Sequence, residues 1–280
     1  MDHQTPEDIL AESVTIPTLP SVVHRINKML EDPEVSIVQI GAEVSKDAPI
    51  STKVLRIANS AFYGLREQVI STEHASCVLG LQVLRNIVMQ ASVIGRFDHL
   101  DSNSSFDLES MWRHSILAAE TCQKIASATR VNLGMAPEEF HTTGLLHDVG
   151  QVVLLDTCPD RFLEAVDLAD RLGVDLAIAE QELMGFDHAA IGARVANRWG
   201  LPPLLEQAIA DHHLPLTQLK EPAVLLVAVS NRICERVPTE DRQAVLATFE
   251  PVVAERLGID EVTYARIVDS ALSRYPALEV

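Results

Sequence analysis

Six residues define the chemistry open to this chain: His114, the adjacent pair His147-Asp148, His188 and the adjacent pair His212-His213, which follow one another along the sequence. Imidazole nitrogens with one carboxylate and no thiolate suit a first-row transition metal such as iron or manganese, or zinc, better than calcium or magnesium, which favour oxygen ligands. Two ions could share such a set. Neighbouring side chains on an ideal helix diverge by about 100°, so His147 and Asp148 need ligands from other helices to close a common site. Leu145, Leu146 and Val149 surround that pair with apolar residues, where a charge without a partner is costly. His24, His74, His99 and His141 have no such company and read as surface or satisfied core residues. His3 reads as tail.

The elements that must position these residues read as helices. Gly numbers only 12, aromatics are 4%, and hairpin dipeptides are scarce, so an all-α, multi-helical bundle is expected. Thr5-Pro6-Glu7-Asp8 carries a cap, a proline and acids in the order of a helix start, and Ser36 with Gln39 forms a capping box. Pro49 can open a helix with Val54, Leu55, Ala58, Ala61 and Phe62 on one face and Gly64 at its left-handed end. Residues Val78 to Ile94 read as one continuous buried helix through Leu79, Leu81, Val83, Leu84, Ile87, Val88 and Val93. The stretch from Phe97 to Asp107 reads as a linker or exposed loop, dividing an N-terminal segment (1–15) and a helical part (16–100) from a second helical part (106–280). Further breaks are expected at Gly134, Gly173, Gly200 to Pro203, Pro215 and Pro238. Asn59-Ser60 reads as a backbone cap, and Arg194 with Arg198 as a solvated helix face.

Composition narrows the functions. The chain has 280 residues with 47% hydrophobic and 22% charged, enough apolar material for a sizeable core. Its formal charge of −18 repels phosphate backbones, so nucleic acid is not expected as a partner. The amino terminus is acidic where a secretory signal would be basic, and apolar runs fall well short of the ~18 residues of a membrane helix. A cytoplasmic location with no membrane association is expected. The four cysteines form no CxxC pair and read as small buried apolar residues.

Several segments resemble a known family. Ile16 to Pro20, Lys46-Asp47-Ala48-Pro49-Ile50, Leu55 to Gly64 (LRIANSAFYG) and Val78-Leu79-Gly80 are similar to the signature of HDOD domains, the output domains related to HD-type metal phosphohydrolases, over about residues 16 to 235. Gly144 to Gly150 (GLLHDVG) looks like the HD motif itself. The resemblance implies an all-helical signalling or regulatory module with a protein partner. The histidine series is also similar to that of HD-GYP phosphodiesterases, which implies that His114, His147 and Asp148 hold one metal and Asp148, His188, His212 and His213 a second. The cofactor implied is one or two divalent transition metals, from iron, manganese, nickel or zinc. Three departures weigh against turnover: Gln151 stands where active relatives have lysine, the GYP segment is absent after His213, and the late aspartate aligns with Asn231 or Ser230. The resemblance therefore implies a regulatory protein with a vestigial or structural metal site, the alternative being a phosphohydrolase of a nucleotide or cyclic dinucleotide. No receiver domain fits ahead of Ile16, so a two-component input is expected from another chain or a longer parent.

Overall fold

Capping side chains open half of the helices described. Ser36, Asp47, Ser71, Asp107, Asp175, Asp187, Asp241 and Asp260 each accept a hydrogen bond from an amide in the first turn that follows. Part of the acid excess is thus spent at helix N-termini, where carboxylates meet unpaired amides and the positive end of the helix dipole. The computed structural model describes residues 21–30, 32, 34–60, 63, 65–100, 106–239 and 241–278. The Thr5-Pro6 capping signal, Ala61, Phe62 and Gly64 lie outside the described residues. Among the described residues there is no strand, and no helix is long and apolar enough to cross a membrane.

The chain forms two compact units, one drawn from Pro17–His99 and the other from Leu100–Leu278. The first holds α1 (Ser21–Leu30), α2 (Ile37–Val44), α3 (Ala48–Ala58), α4 (Thr72–Leu79) and α5 (Leu81–Arg96). The Ser36 capping box forms, with Ser36 Oγ accepting from the Gln39 amide and Gln39 Oε1 accepting from the Ser36 amide. Gly41 lets α2 lie against the start of α4: a Cβ there would stand 2.6 Å from Glu73 Cα. Asn59 fastens the end of α3, donating to the Leu55 and Val69 carbonyls and accepting from the Val69 amide.

The structure corrects the expected helix over 78–94. It breaks at Gly80, whose φ of +83° is a left-handed conformation that favours glycine. Val78 ends up exposed, while Leu84, Ile87, Val88 and Val93 are buried on α5. Helix α5 ends at Arg96 and the next helix begins at Leu108, as the expected linker at 97–107 requires, but Phe97 and Phe106 within it are buried rather than exposed, and Asp107 caps the next helix. Of the cysteines, Cys122 and Cys234 are buried, but Cys77 is exposed and Cys158 intermediate, so the buried reading holds for only two. Cys77 follows the buried Ala75 and Ser76 on α4, which places it on the outer face.

The second unit contains α6 (Leu108–Ala128), α7 (Pro137–Leu146), α8 (Val149–Thr157), α9 (Pro159–Leu172), α10 (Leu176–Met184), α11 (His188–Arg198), α12 (Pro203–Asp211) and α13 (Pro222–Arg236). Three further helices follow: α14 (Arg242–Leu246), α15 (Pro251–Leu257) and α16 (Glu261–Arg274). Helix α6 packs on α7 and α13, and α11 packs on α8 and α12. Leu117, Ile125, Leu145, Val152, Leu225 and Leu226 are buried between these helices. Gly173 ends α9 in the left-handed conformation, Gly134 and Gly200 also have positive φ, and α12 opens with proline.

Candidate metal centre

All six residues singled out by type and spacing converge in the second unit. His114 projects from the middle of α6. His147 and Asp148 occupy the break between α7 and α8, with φ and ψ of −58° and −35° for His147 and −100° and 8° for Asp148. Both side chains reach one centre from that break, His147 Nε2 lying 3.3 Å from Asp148 Oδ2. His188 is the first residue of α11, and His212-His213 lies just past the end of α12.

The glycines of the GLLHDVG segment make this assembly possible. A Cβ on Gly144 would stand 2.6 Å from the Ala118 oxygen of α6, and a Cβ on Gly150 would stand 1.9 Å from the His188 oxygen of α11. Backbone therefore touches backbone on both sides of the HD pair. The His114 helix is drawn in on one side and the His188 helix on the other.

Asp148 sits at the centre. Its Oδ2 lies 3.4 Å from His114 Nε2 and 3.3 Å from His147 Nε2. Its Oδ1 lies 3.2 Å from His188 Nε2 and 3.4 Å from His212 Nε2. His213 Nε2 is 2.9 Å from His188 Nε2, and His114 Nε2 is 3.1 Å from His147 Nε2. Two ligand groups result, His114/His147/Asp148 and Asp148/His188/His212/His213, in each of which the ligand atoms lie within 4.8 Å of one another.

These atoms form a donor set of the kind that receives a cation. His147 Nδ1 lies 2.7 Å from the Gly144 oxygen, and His212 Nδ1 lies 2.7 Å from the Ile209 oxygen. A carbonyl only accepts, so both Nδ1 atoms carry the proton and both Nε2 atoms turn lone pairs inward. Asp148 Oδ1 and His212 Nε2 are buried and have no hydrogen-bond partner among the described residues. Burial pushes His114 down to about 4 and His212 down to about 3, so both imidazoles are neutral at pH 7. For Asp148 burial opposes ionisation, but the surrounding imidazoles hold its carboxyl well below the usual range. Imidazoles around one carboxylate, with His114 and His212 neutral, fit a divalent transition ion in donor type.

The remaining expected positions resolve individually. Asn231 on α13 faces the centre, its Oδ1 3.1 Å from His147 Nε2 and its Nδ2 donating to Glu235 Oε1 at 2.7 Å. Ser230 does not, because its hydroxyl donates to the Ala118 carbonyl. Gln151 lines a cavity of about 420 Å³ that opens over His114, Asp148, His188 and His213. Asp107, Asp175 and Glu235 share that wall, and among the described residues lining it there is no lysine or arginine. Burial, and then the charges of Asp175 and Asp148, raise the Glu235 carboxyl. A second cavity, about 530 Å³, borders His212, His213 and Asn231 and does hold Arg232 and Arg236. Arg232 is paired there with Glu250 at 2.6 Å.

Three carboxylates around the centre carry no signal in the histidine series. Glu180 on α10 is fully buried against His188. Asp175 caps α10 and approaches His213 Nδ1 to 3.5 Å. Glu235 could have been found from its i, i+4 spacing to Asn231 on one helix. Glu180 could not, since eight residues and a turn separate it from His188. His24, His74 and His99 are exposed and His141 is buried on α7, all outside the cluster.

Comparison with known proteins agrees with this geometry at the level of fold. The model of the HDOD domain matches residues 16–215. An HDOD domain protein of unknown function from Geobacter sulfurreducens is 24% identical, with a TM-score of 0.82 over 98% of this chain and 97% of its own. A Shewanella amazonensis protein, provisionally described as a phosphohydrolase, is also 24% identical, with a TM-score of 0.74 over 97% and 98%. A Marinobacter aquaeolei protein, provisionally described as acting in signal transduction, is 21% identical, with a TM-score of 0.77 over 99% and 65%. An uncharacterized protein of Treponema pallidum is 27% identical over 238 residues, 82% of this chain. The chain spans 45% of the length of that curated relative.

Proposed function

The chain belongs to the HDOD family, and from that premise we propose that it is a signalling domain whose His/Asp centre binds one or two divalent transition metals and which acts through a protein partner rather than by turnover. His114, His147, Asp148 and the Asn231 oxygen would hold one ion, and Asp148, His188, His212 and His213 the other. Such an ion supplies positive charge and Lewis acidity where it is bound.

One observation carries the preference for binding over hydrolysis. The cavity over the centre presents Asp107, Asp175 and Glu235, with Gln151 where the resemblance to active relatives calls for lysine. Phosphoryl transfer depends on cationic groups aimed at developing negative charge, and loss of one such group typically costs about 10² to 10³ in rate. A wall of carboxylates opposes an approaching phosphate instead. Partner binding through the helices of the Pro17–His99 unit is the matching output.

The hydrolase reading draws on a different feature. Asp148 offers one oxygen to each ligand group, the arrangement by which paired metals clamp attacking and leaving oxygens. Metal content of the purified protein, followed by phosphodiester and nucleotide hydrolysis with manganese, iron or nickel, separates the two. We expect bound metal, with the same background hydrolysis in wild type and His147→Ala. Metal-dependent hydrolysis abolished by His147→Ala would overturn the binding reading.

A further inference from the structure

Glu180 is the most deeply buried charge in the second unit without a role in the reading so far. It has 0% relative exposure, as does His188. Its Oε2 accepts two hydrogen bonds from that one residue, from the backbone amide at 2.7 Å and from Nδ1 at 2.6 Å. Its Oε1 is buried with no hydrogen-bond partner among the described residues. Ionised, a carboxylate here loses its hydration and recovers only part of it, an arrangement that costs several kcal/mol unless positive charge stands nearby. A fold that needed only an α10–α11 contact could make it with an apolar side chain.

The imidazole between the two carboxylates explains the arrangement. His188 donates through Nδ1 to Glu180 and turns Nε2 toward Asp148 Oδ1 at 3.2 Å. We propose that Glu180 is a positioning residue for the second metal: it fixes the His188 ring and its Nδ1–H tautomer, leaving Nε2 as the ligand atom, and makes that nitrogen a stronger donor. Its full negative charge distinguishes His188 from His147 and His212, whose Nδ1 atoms are held by neutral backbone carbonyls. Among these three histidines the strongest donor faces the Asp148/His188/His212/His213 group. Partners of this kind typically contribute 10- to 100-fold to metal affinity. The inference rests on the reading of the cluster as a metal centre and adds an asymmetry between its halves.

Two variants of the full chain test it, with zinc and manganese ions as probes. Glu180→Gln keeps an acceptor oxygen for Nδ1 and the amide but removes the charge, whereas Glu180→Ala removes both. Expected is a roughly 10-fold loss of affinity at one site for Glu180→Gln and about 100-fold for Glu180→Ala, while the site containing His114 and His147 keeps its affinity. Nitrogen-15 chemical shifts of His188 in the metal-free protein supply a second readout. The Nδ1–H signature should survive in Glu180→Gln and be lost in Glu180→Ala. Should Glu180→Ala fail to fold, the Glu180→Gln affinity at that one site still decides. Equal affinities in wild type and Glu180→Gln, or equal losses at both sites, would overturn the inference and leave the metal centre standing. Absence of any binding by wild type would overturn the centre and this inference with it.

Discussion

The most demanding consequence of the fold concerns a residue that ligates nothing. Replacing Gly150 by alanine puts a Cβ 1.9 Å from the His188 carbonyl oxygen, 2.8 Å from its carbon and 2.9 Å from the Gly192 nitrogen. All three are backbone atoms, so no side chain can swing aside. Reaching even a 3.0 Å contact requires α8 and α11 to part by 3.0 − 1.9 = 1.1 Å, in a region where both helices are also held to their neighbours. Overpacking of this kind typically costs about 1–3 kcal/mol or somewhat more. For a unit of this size, each kcal/mol lowers the melting temperature by about 2–4 °C. We therefore expect Gly150→Ala to melt about 5–10 °C below wild type. We also expect weaker metal binding, because the displaced helix carries His188 away from Asp148. Differential scanning calorimetry and equilibrium zinc binding measure the two effects, with Gly95→Ala on α5 as control because the atoms nearest its Cβ all belong to the flexible Lys53 side chain. A Gly150→Ala protein melting within 2 °C of wild type with unchanged zinc affinity would refute the claim that backbone contact at this glycine sets the geometry of the centre.

Two further outcomes follow from single side chains. Burial pushes His141 from 6.5 down to about 4, so the unfolded chain binds a proton that the folded one refuses. The stability contribution is present above about pH 6.5, shrinks as pH falls, and is lost through pH 4, up to about 3 kcal/mol over the window. Urea unfolding of His141→Leu at pH 7 and pH 5 should show a shallower pH slope than wild type, and equal slopes would discount the effect. Asn231→Asp places a carboxylate beside His147, and the first ligand group should bind zinc at least 10-fold more tightly than in wild type, since an anionic oxygen is the better ligand for a divalent ion. Titration calorimetry showing weaker binding instead would mean that the Asn231 oxygen is not directed at the ion.

What was legible in the sequence divides along physical lines. Helix starts are local chemistry, so Ser36 with Gln39 and the helix opened by Pro49 could be read from neighbouring residues alone. The order His114, His147-Asp148, His188, His212-His213 was legible as a donor set because imidazole and carboxylate have few reasons to recur in apolar surroundings. What periodicity obscured was the break at Gly80, since apolar residues flank it on both sides and only its φ of +83° separates two helices. Glu180 was hidden for another reason. Its meaning lies in a contact across a turn, and nothing in its neighbours distinguishes a buried carboxylate from one facing solvent.

The acid-walled mouth has a kinetic side. His114 and His213 retain side-chain exposures of 16% and 18%, while His147, His188 and His212 retain at most 1%. If the centre binds metal, an arriving ion would meet Asp107, Asp175 and Glu235 first, then one of the two outer imidazoles, before the inner nitrogens. Carboxylates gathered in a concave wall concentrate cations ahead of capture and turn anions away. Loading should accordingly be fast at low ionic strength and slow steeply as salt screens the wall, since the screening length shrinks from about 30 Å at 0.01 M to about 10 Å at 0.1 M. On the proposed reading, the cavity would act as an ion-selective funnel whose throughput is set by the surrounding electrolyte.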